Sequence, residues 1–246
     1  MGEQPGAEVT VPEAGPPLTG HILWQLLQIS DQLFPTGSYA FSHALETYVE
    51  LGLVHDRASC QQLLVNLCDN ALGPCDMVFC AHAFRQAARQ DLQALVDLDR
   101  LLQAHKVPQE LRLESQHTGQ AFLRASLALY PPLFVKTFLQ EVQHGTAPGN
   151  HAIAFGLVSQ SLGLSEEHAV QGYLYNVTAG WVAAALRLIP LGQAEGQRLL
   201  HDLAPTLLAV QQRYGHLTPA EAWSCTPGLD IRSMQHERLY TRLFRS

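Results

Sequence analysis

From His21 onward nearly every segment of this chain repeats its apolar residues at helical spacing, and no run alternates apolar and polar residues between turn signals as a half-buried strand does. That pattern admits only an all-α fold. Ile22, Leu23, Leu26, Leu27, Ile29, Leu33 and Phe34 mark a first helix, stopped by Pro35-Thr36-Gly37. Ser42 to Leu51 forms a second, ended by Gly52. Asp56 caps a third running to Leu72, where Gly73-Pro74 should break it; Asp76 and Asp91 cap the next two. Glu110 to Tyr130 is a long helix ended by Pro131-Pro132, and residues 144–150 form a loop. His151 to Leu162 follows, and Ser165 opens a helix reaching Ile189. Its Ala179, Gly180, Ala183, Ala184 and Ala185 allow close approach, which marks it as the central buried helix. Gln193 to Tyr214 comes next. Thr218 and Glu221, with Pro219 at the first helical position, form a capping box that should start another helix. The expected architecture is all-α, one compact domain of about ten helices over residues 21–246, behind a disordered leader at 1–20 that is rich in proline and glycine.

Charge narrows the classes of partner. A net charge of −7 argues against general phosphate-backbone binding. Lys106 and Lys136 are the only lysines among fifteen basic residues, while four arginines from Arg232 onward make the tail locally basic and suited to an acidic protein partner. No apolar run approaches the roughly 18–20 residues that span a bilayer. Five cysteines without a CxxC spacing, and no secretory signal ahead of them, point to a reducing, cytoplasmic setting rather than a disulfide framework. Cys60 and Cys68 lie on apolar helix faces and read as small hydrophobes.

Catalytic patterns are missing. Twelve histidines invite a metal reading, with His144 and His151 flanking a loop and Cys75, Cys80 and His82 close together, but no pair has HExxH spacing and no Cys/His set has zinc-finger spacing. The dipeptides His55-Asp56 and His201-Asp202 leave open a helical metal-dependent hydrolase, and the histidines a nickel-storage protein. Asp56 is better explained as a helix cap. There is no GxSxG, P-loop or GxGxxG, so no catalytic residue, resident metal or cofactor is assigned, and the chain alone should not bind GTP.

The tail carries the strongest functional signal. Leu239, Tyr240, Leu243 and Phe244 at i, i+1, i+4, i+5 form one stripe of a helix, with Arg238, Arg242 and Arg245 on a neighbouring face. A short terminal helix is marginal without packing partners, so this stripe is either core or a surface that another protein completes.

Four segments, LFPTGSYAFSHALETYVELG (33–52), HAIAFGLVSQSLGL (151–164), LRLIPLGQAEGQRLL (186–200) and PGLDIRSMQHERLYTRLFRS (227–246), together resemble the UreF family of urease accessory proteins over about residues 21–246. Ser38 and Tyr39 stand where many relatives have Gly and Phe, and Ala44 where glycine is frequent. The resemblance implies a non-catalytic, dimeric, all-helical chaperone. It would bind UreD (also called UreH), recruit the nickel-carrying GTPase UreG, and serve apo-urease, whose active-site lysine is carbamylated. Nickel would be handled by the complex and GTP by UreG. The partner-binding residues expected here are Tyr48, Arg238, Tyr240, Arg242, Leu243 and Phe244. Within that set the Arg242 guanidinium, which only donates, is expected to bond the Tyr48 phenol or its neighbouring backbone, on a helix that also carries Glu46.

Overall fold

A computed structural model describes residues 20–239 and 242–245. It contains no strand among them and arranges ten helices in one compact body. In chain order the α-helical segments are α1 Gly20–Ser30, α2 Leu45–Glu50, α3 Arg57–Leu67, α4 Val78–Arg89, α5 Leu92–His105, α6 Gln109–Leu129, α7 Leu133–Gln143, α8 His151–Ser161, α9 Glu166–Leu188, α10 Gln193–Tyr214 and α11 Pro227–His236, with a π-helical segment Cys68–Met77 joining α3 to α4. The expected leader lies outside the described residues, apart from Gly20, which opens α1.

Most starts follow the capping logic. Asp56 accepts from Ser59 N at 2.8 Å and closes a capping box with the Ser59 hydroxyl. Asp91 accepts from Ala94 N at 3.0 Å, and Ser165 from His168 N at 3.2 Å. Asp76 is not a cap; it sits inside the π-segment and pairs with Lys106 at 2.7 Å.

Gly73-Pro74 does not break the helix. The chain widens to π geometry and runs on, giving one continuous helix from Arg57 to Arg89. Proline has no N–H, so the Asn70 carbonyl loses its helical donor. Cys225 N supplies the replacement at 2.8 Å, and Trp223 N bonds the Pro74 carbonyl at 3.1 Å. This strap accounts for a second departure. Thr218 N and Oγ1 do bond Glu221 Oε2, at 2.9 and 2.8 Å, but only a turn forms, because residues 223–225 are drawn out to repair the π-segment. The next helix starts instead at Pro227, again with proline in its first turn. Undivided, Arg57–Arg89 is long and apolar enough by length and composition to cross a membrane, unlike any run visible when Gly73-Pro74 is read as a break; 61% of its most apolar window is buried inside the fold.

The helix enclosed on all sides is α8 rather than α9. Every residue from His151 to Ser159 is buried, whereas α9 buries one broad face. Glycine sets the spacing: a Cβ on Gly156 would stand 2.2 Å from the Cys80 carbonyl oxygen of α4, and one on Gly119 of α6 would stand 2.2 Å from the Gly149 carbonyl oxygen. Phe122 and Phe155 stack with ring centroids 5.3 Å apart between these layers.

Asp99 fixes the entry to α8. Fully buried on α5, its carboxylate accepts from Gly149 N at 2.6 Å, Asn150 N at 3.0 Å and Asn150 Nδ2 at 2.7 Å. Burial outweighs these bonds and pushes its pKa up to about 6. Because the folded value lies above the unfolded one, this group's contribution to stability is fully present below about pH 4 and is lost as pH rises through about 6. We expect the unfolding free energy to fall by up to about 2 kcal/mol from this source between about pH 4 and about pH 7. Denaturant titrations of wild type and Asp99→Asn across that range check it; an unchanged slope in the variant would refute the assignment.

Candidate functional site

Two short elements make the site. The corner between α1 and α2 ends in a tight reversal in which His43 (φ 53°) and Ala44 (φ 63°) take left-handed backbone, explaining why glycine suits position 44. Thr47 Oγ1 then donates to the Arg232 carbonyl at 3.2 Å, tying α2 to α11. Of the aromatics in this corner, Phe34 packs on Phe122 at 5.1 Å and Phe41 stacks on His117 at 6.3 Å, while Tyr39 stays exposed.

Beyond α11 the tail folds back over this corner, held by two glutamates. Glu46 accepts from Leu243 N through Oε1 at 2.7 Å and from Phe244 N through Oε2 at 3.1 Å. His236, wholly buried, lies between Glu46 Oε2 (Nε2 at 3.0 Å) and Glu110 Oε2 (Nδ1 at 2.9 Å). A neutral imidazole carries one N–H, so a ring facing two carboxylates requires one further proton in the trio. Burial pushes the Glu110 carboxyl up, with His236 and Arg242 pulling it back. Arg242 Nη1 donates to Glu110 Oε1 at 3.2 Å, and Arg245 N donates to the Ala40 carbonyl at 2.8 Å. The Phe244 ring enters the body, 5% exposed, beneath the Arg187 guanidinium, whose carbon lies 4.5 Å from the ring centroid. Arg187 Nη1 in turn donates to the Tyr39 carbonyl at 2.6 Å.

Several expectations for the tail change. Helix ends at His236, and residues 237–239 and 242–245 form turns, a bend and irregular chain, so Leu239, Leu243 and Phe244 share no helical stripe. Glu46 takes the backbone N–H groups that a helical tail would use internally. Leu243 points outward, 68% exposed, while Phe244 is core; Arg238, Arg242 and Arg245 are exposed. Tyr240 lies outside the described residues. Arg242 bonds Glu110, not Tyr48, because a buried carboxylate is a stronger acceptor for a guanidinium than a phenol. The Tyr48 hydroxyl faces α11 instead: a Cβ on Gly228 would sit 3.0 Å from it, and burial raises its pKa, with Arg232 opposing and Asp230 adding. The two ends of the fold therefore do meet, through Glu46, Glu110 and His236. Of these, Glu46 is the glutamate of LETY (45–48) and His236 lies in the 227–246 segment that carried the resemblance; Glu110 carried no local signal.

The histidines and cysteines are dispersed. Among the described residues no three His, Cys, Asp or Glu side chains converge as a metal site. Burial pushes the Cys60 thiol up to about 11 and Cys68 and Cys75 up to about 12, and it raises Cys80 as well. Asp202 pairs with Arg57 at 2.7 Å, so both carboxylates of the His-Asp dipeptides have structural employment.

Fold and site define a class: a helical body, without strands among the described residues, that clasps its own C-terminal tail. A family model described as UreF matches residues 54–204. The chain is 33% identical over 219 residues to a urease accessory protein UreF from Trichodesmium erythraeum, covering 89% of this chain and 94% of that one. It is 34% identical over 221 residues to one from an Arthrobacter species (90% and 96%), and 32% identical over 224 residues to one from a Bacillus species (91% and 99%). The chain belongs to the UreF family of urease accessory proteins.

Proposed function

We propose that this chain is a non-catalytic adaptor in urease maturation. As a cytoplasmic homodimer it binds UreD/UreH, and the pair recruits the GTPase UreG so that the complex delivers nickel to apo-urease. Family membership supports the role, and the observation that carries the mode of action is the clasped tail. Its backbone is pinned at Leu243 and Phe244 by Glu46, so the side chains left outward, Leu243 and the arginines, are presented in a defined shape. A pre-shaped segment loses less entropy on binding than a free one.

The test is co-elution with UreD of a chain ending at Glu237. That cut keeps α11, whose Ser233 and His236 are buried. Circular dichroism should show the helical body intact while the complex is lost. Co-elution at wild-type strength would refute the reading. So would a stoichiometric, tightly held metal ion in untagged protein, which would favour storage or hydrolysis.

A further inference from the structure

A cavity of about 130 Å³ opens between the π-segment, α6, α8, α9 and the base of α11. Most of its wall is apolar, including Leu72, Leu111, Val177 and Leu229. Two ion pairs are already made within its lining, Lys106 Nζ with Asp76 Oδ1 at 2.7 Å and His43 Nδ1 with Glu114, and His105 lines it as well. Two polar atoms of lining residues have no protein partner, His151 Nε2 on α8 and Trp181 Nε1 on α9, and both residues are only 8% exposed. Asp230, with its pKa raised by burial, also belongs to the lining.

The chemistry of these two atoms limits what fits between them. An indole N–H only donates, so Trp181 asks for an acceptor. His151 is held neutral, its pKa drawn down to about 3 by burial, with Lys106 and His43 adding to the effect. A neutral imidazole whose Nδ1 carries the proton presents Nε2 as an acceptor and asks for a donor. An ion entering here would lose its hydration, would find Lys106, Asp76, His43 and Glu114 already paired, and would meet in Asp230 a carboxyl whose charged form burial disfavours, costs that a neutral molecule avoids. An apolar wall with a few converging polar groups is the ordinary construction of a small-molecule site.

We propose that this cavity is a binding site for a small uncharged molecule with a short apolar body and an amide-like head, whose carbonyl accepts from Trp181 and whose N–H donates to His151. This goes beyond the adaptor role and does not depend on it.

The test uses the full chain with its three tryptophans labelled at the indole nitrogen. Isobutyramide, isobutyrate and isobutylamine serve as nearly isosteric probes that are neutral, negative and positive. Trp181→Phe identifies the resonance by removing it. Isobutyramide should move the Trp181 N–H resonance saturably, and at least about tenfold more tightly than either ion, reflecting the cost of burying an unpaired charge. His151→Leu should weaken the amide and leave the ions unchanged. The ranking of the three probes on wild-type protein stands even if that variant folds poorly. An ion binding as tightly as the amide, or no saturable shift at Trp181 with any probe, would overturn the proposal.

Discussion

Glu46→Ala is expected to release the tail and abolish partner assembly while leaving the helical body folded. One carboxylate collects Leu243 N, Phe244 N and His236 Nε2. Hydrogen bonds to a charged group contribute about 1.5–3 kcal/mol each, so their joint loss far exceeds the roughly 1.4 kcal/mol that changes an equilibrium tenfold. Glu110 still holds His236 and Arg242, so α11 should stay docked. The expected results are cleavage in the tail by trypsin at Arg238 or Arg242 at least about tenfold faster, unchanged helical circular dichroism, and no co-elution with UreD. Glu46→Gln should be intermediate, since an amide oxygen can serve one backbone N–H but not the whole set. Wild-type protease resistance in Glu46→Ala would show that Phe244 burial and Glu110 hold the tail by themselves. Rapid cleavage with co-elution intact would instead separate the clasp from the adaptor function.

Gly156→Ala is expected to be among the most damaging single methyls in the described fold. Its Cβ would lie 2.2 Å from the Cys80 carbonyl oxygen and 3.1 Å from the Ala83 Cβ. The first obstacle is helix backbone, which cannot swing aside as a side chain can. Relief requires α4 and α8 to separate along a contact that also buries Phe79 and Phe155. Overpacking typically costs about 1–3 kcal/mol, and the upper end or beyond applies where backbone must move. A thermal melt should show a loss of about 2–4 °C per kcal/mol in a chain of this length. A control, Gly145→Ala, has open space around its Cβ but a φ of 77°, so it should lose only the smaller cost of left-handed backbone, about 1–2 kcal/mol. Equal stability of Gly156→Ala and wild type would mean that the α4–α8 contact is looser than it stands.

Much of this fold was legible because its signals are local. Periodicity, Asp56, Asp91 and Ser165 as caps, and the proline pairs each act within one turn of helix, and the structure places those boundaries within a few residues. The misreadings share a different character. Gly73-Pro74 is a helix breaker only while its orphaned carbonyl has no donor, and the donor, Cys225, comes from far along the chain. At Thr218 only half of the capping box formed, Thr218 N to Glu221 Oε2, and no helix followed, because the same distant requirement ties Trp223 N and Cys225 N to the π-segment.

The site divides along the same line. That the tail is an ordered, arginine-bearing segment, and that the LETY corner meets it, could be read from residue types and motif positions. That its backbone is not helical, that Phe244 is core while Leu243 is surface, and that Glu110 and His236 complete the clasp could not. Helical spacing and capping are decided by neighbours within a few residues, and those the amino-acid order alone determined. A carboxylate's choice between solvent, a guanidinium and a backbone N–H depends on which groups share its burial, and only the packing of α2, α6 and α11 against one another brought Glu46, Glu110 and His236 into the same buried place.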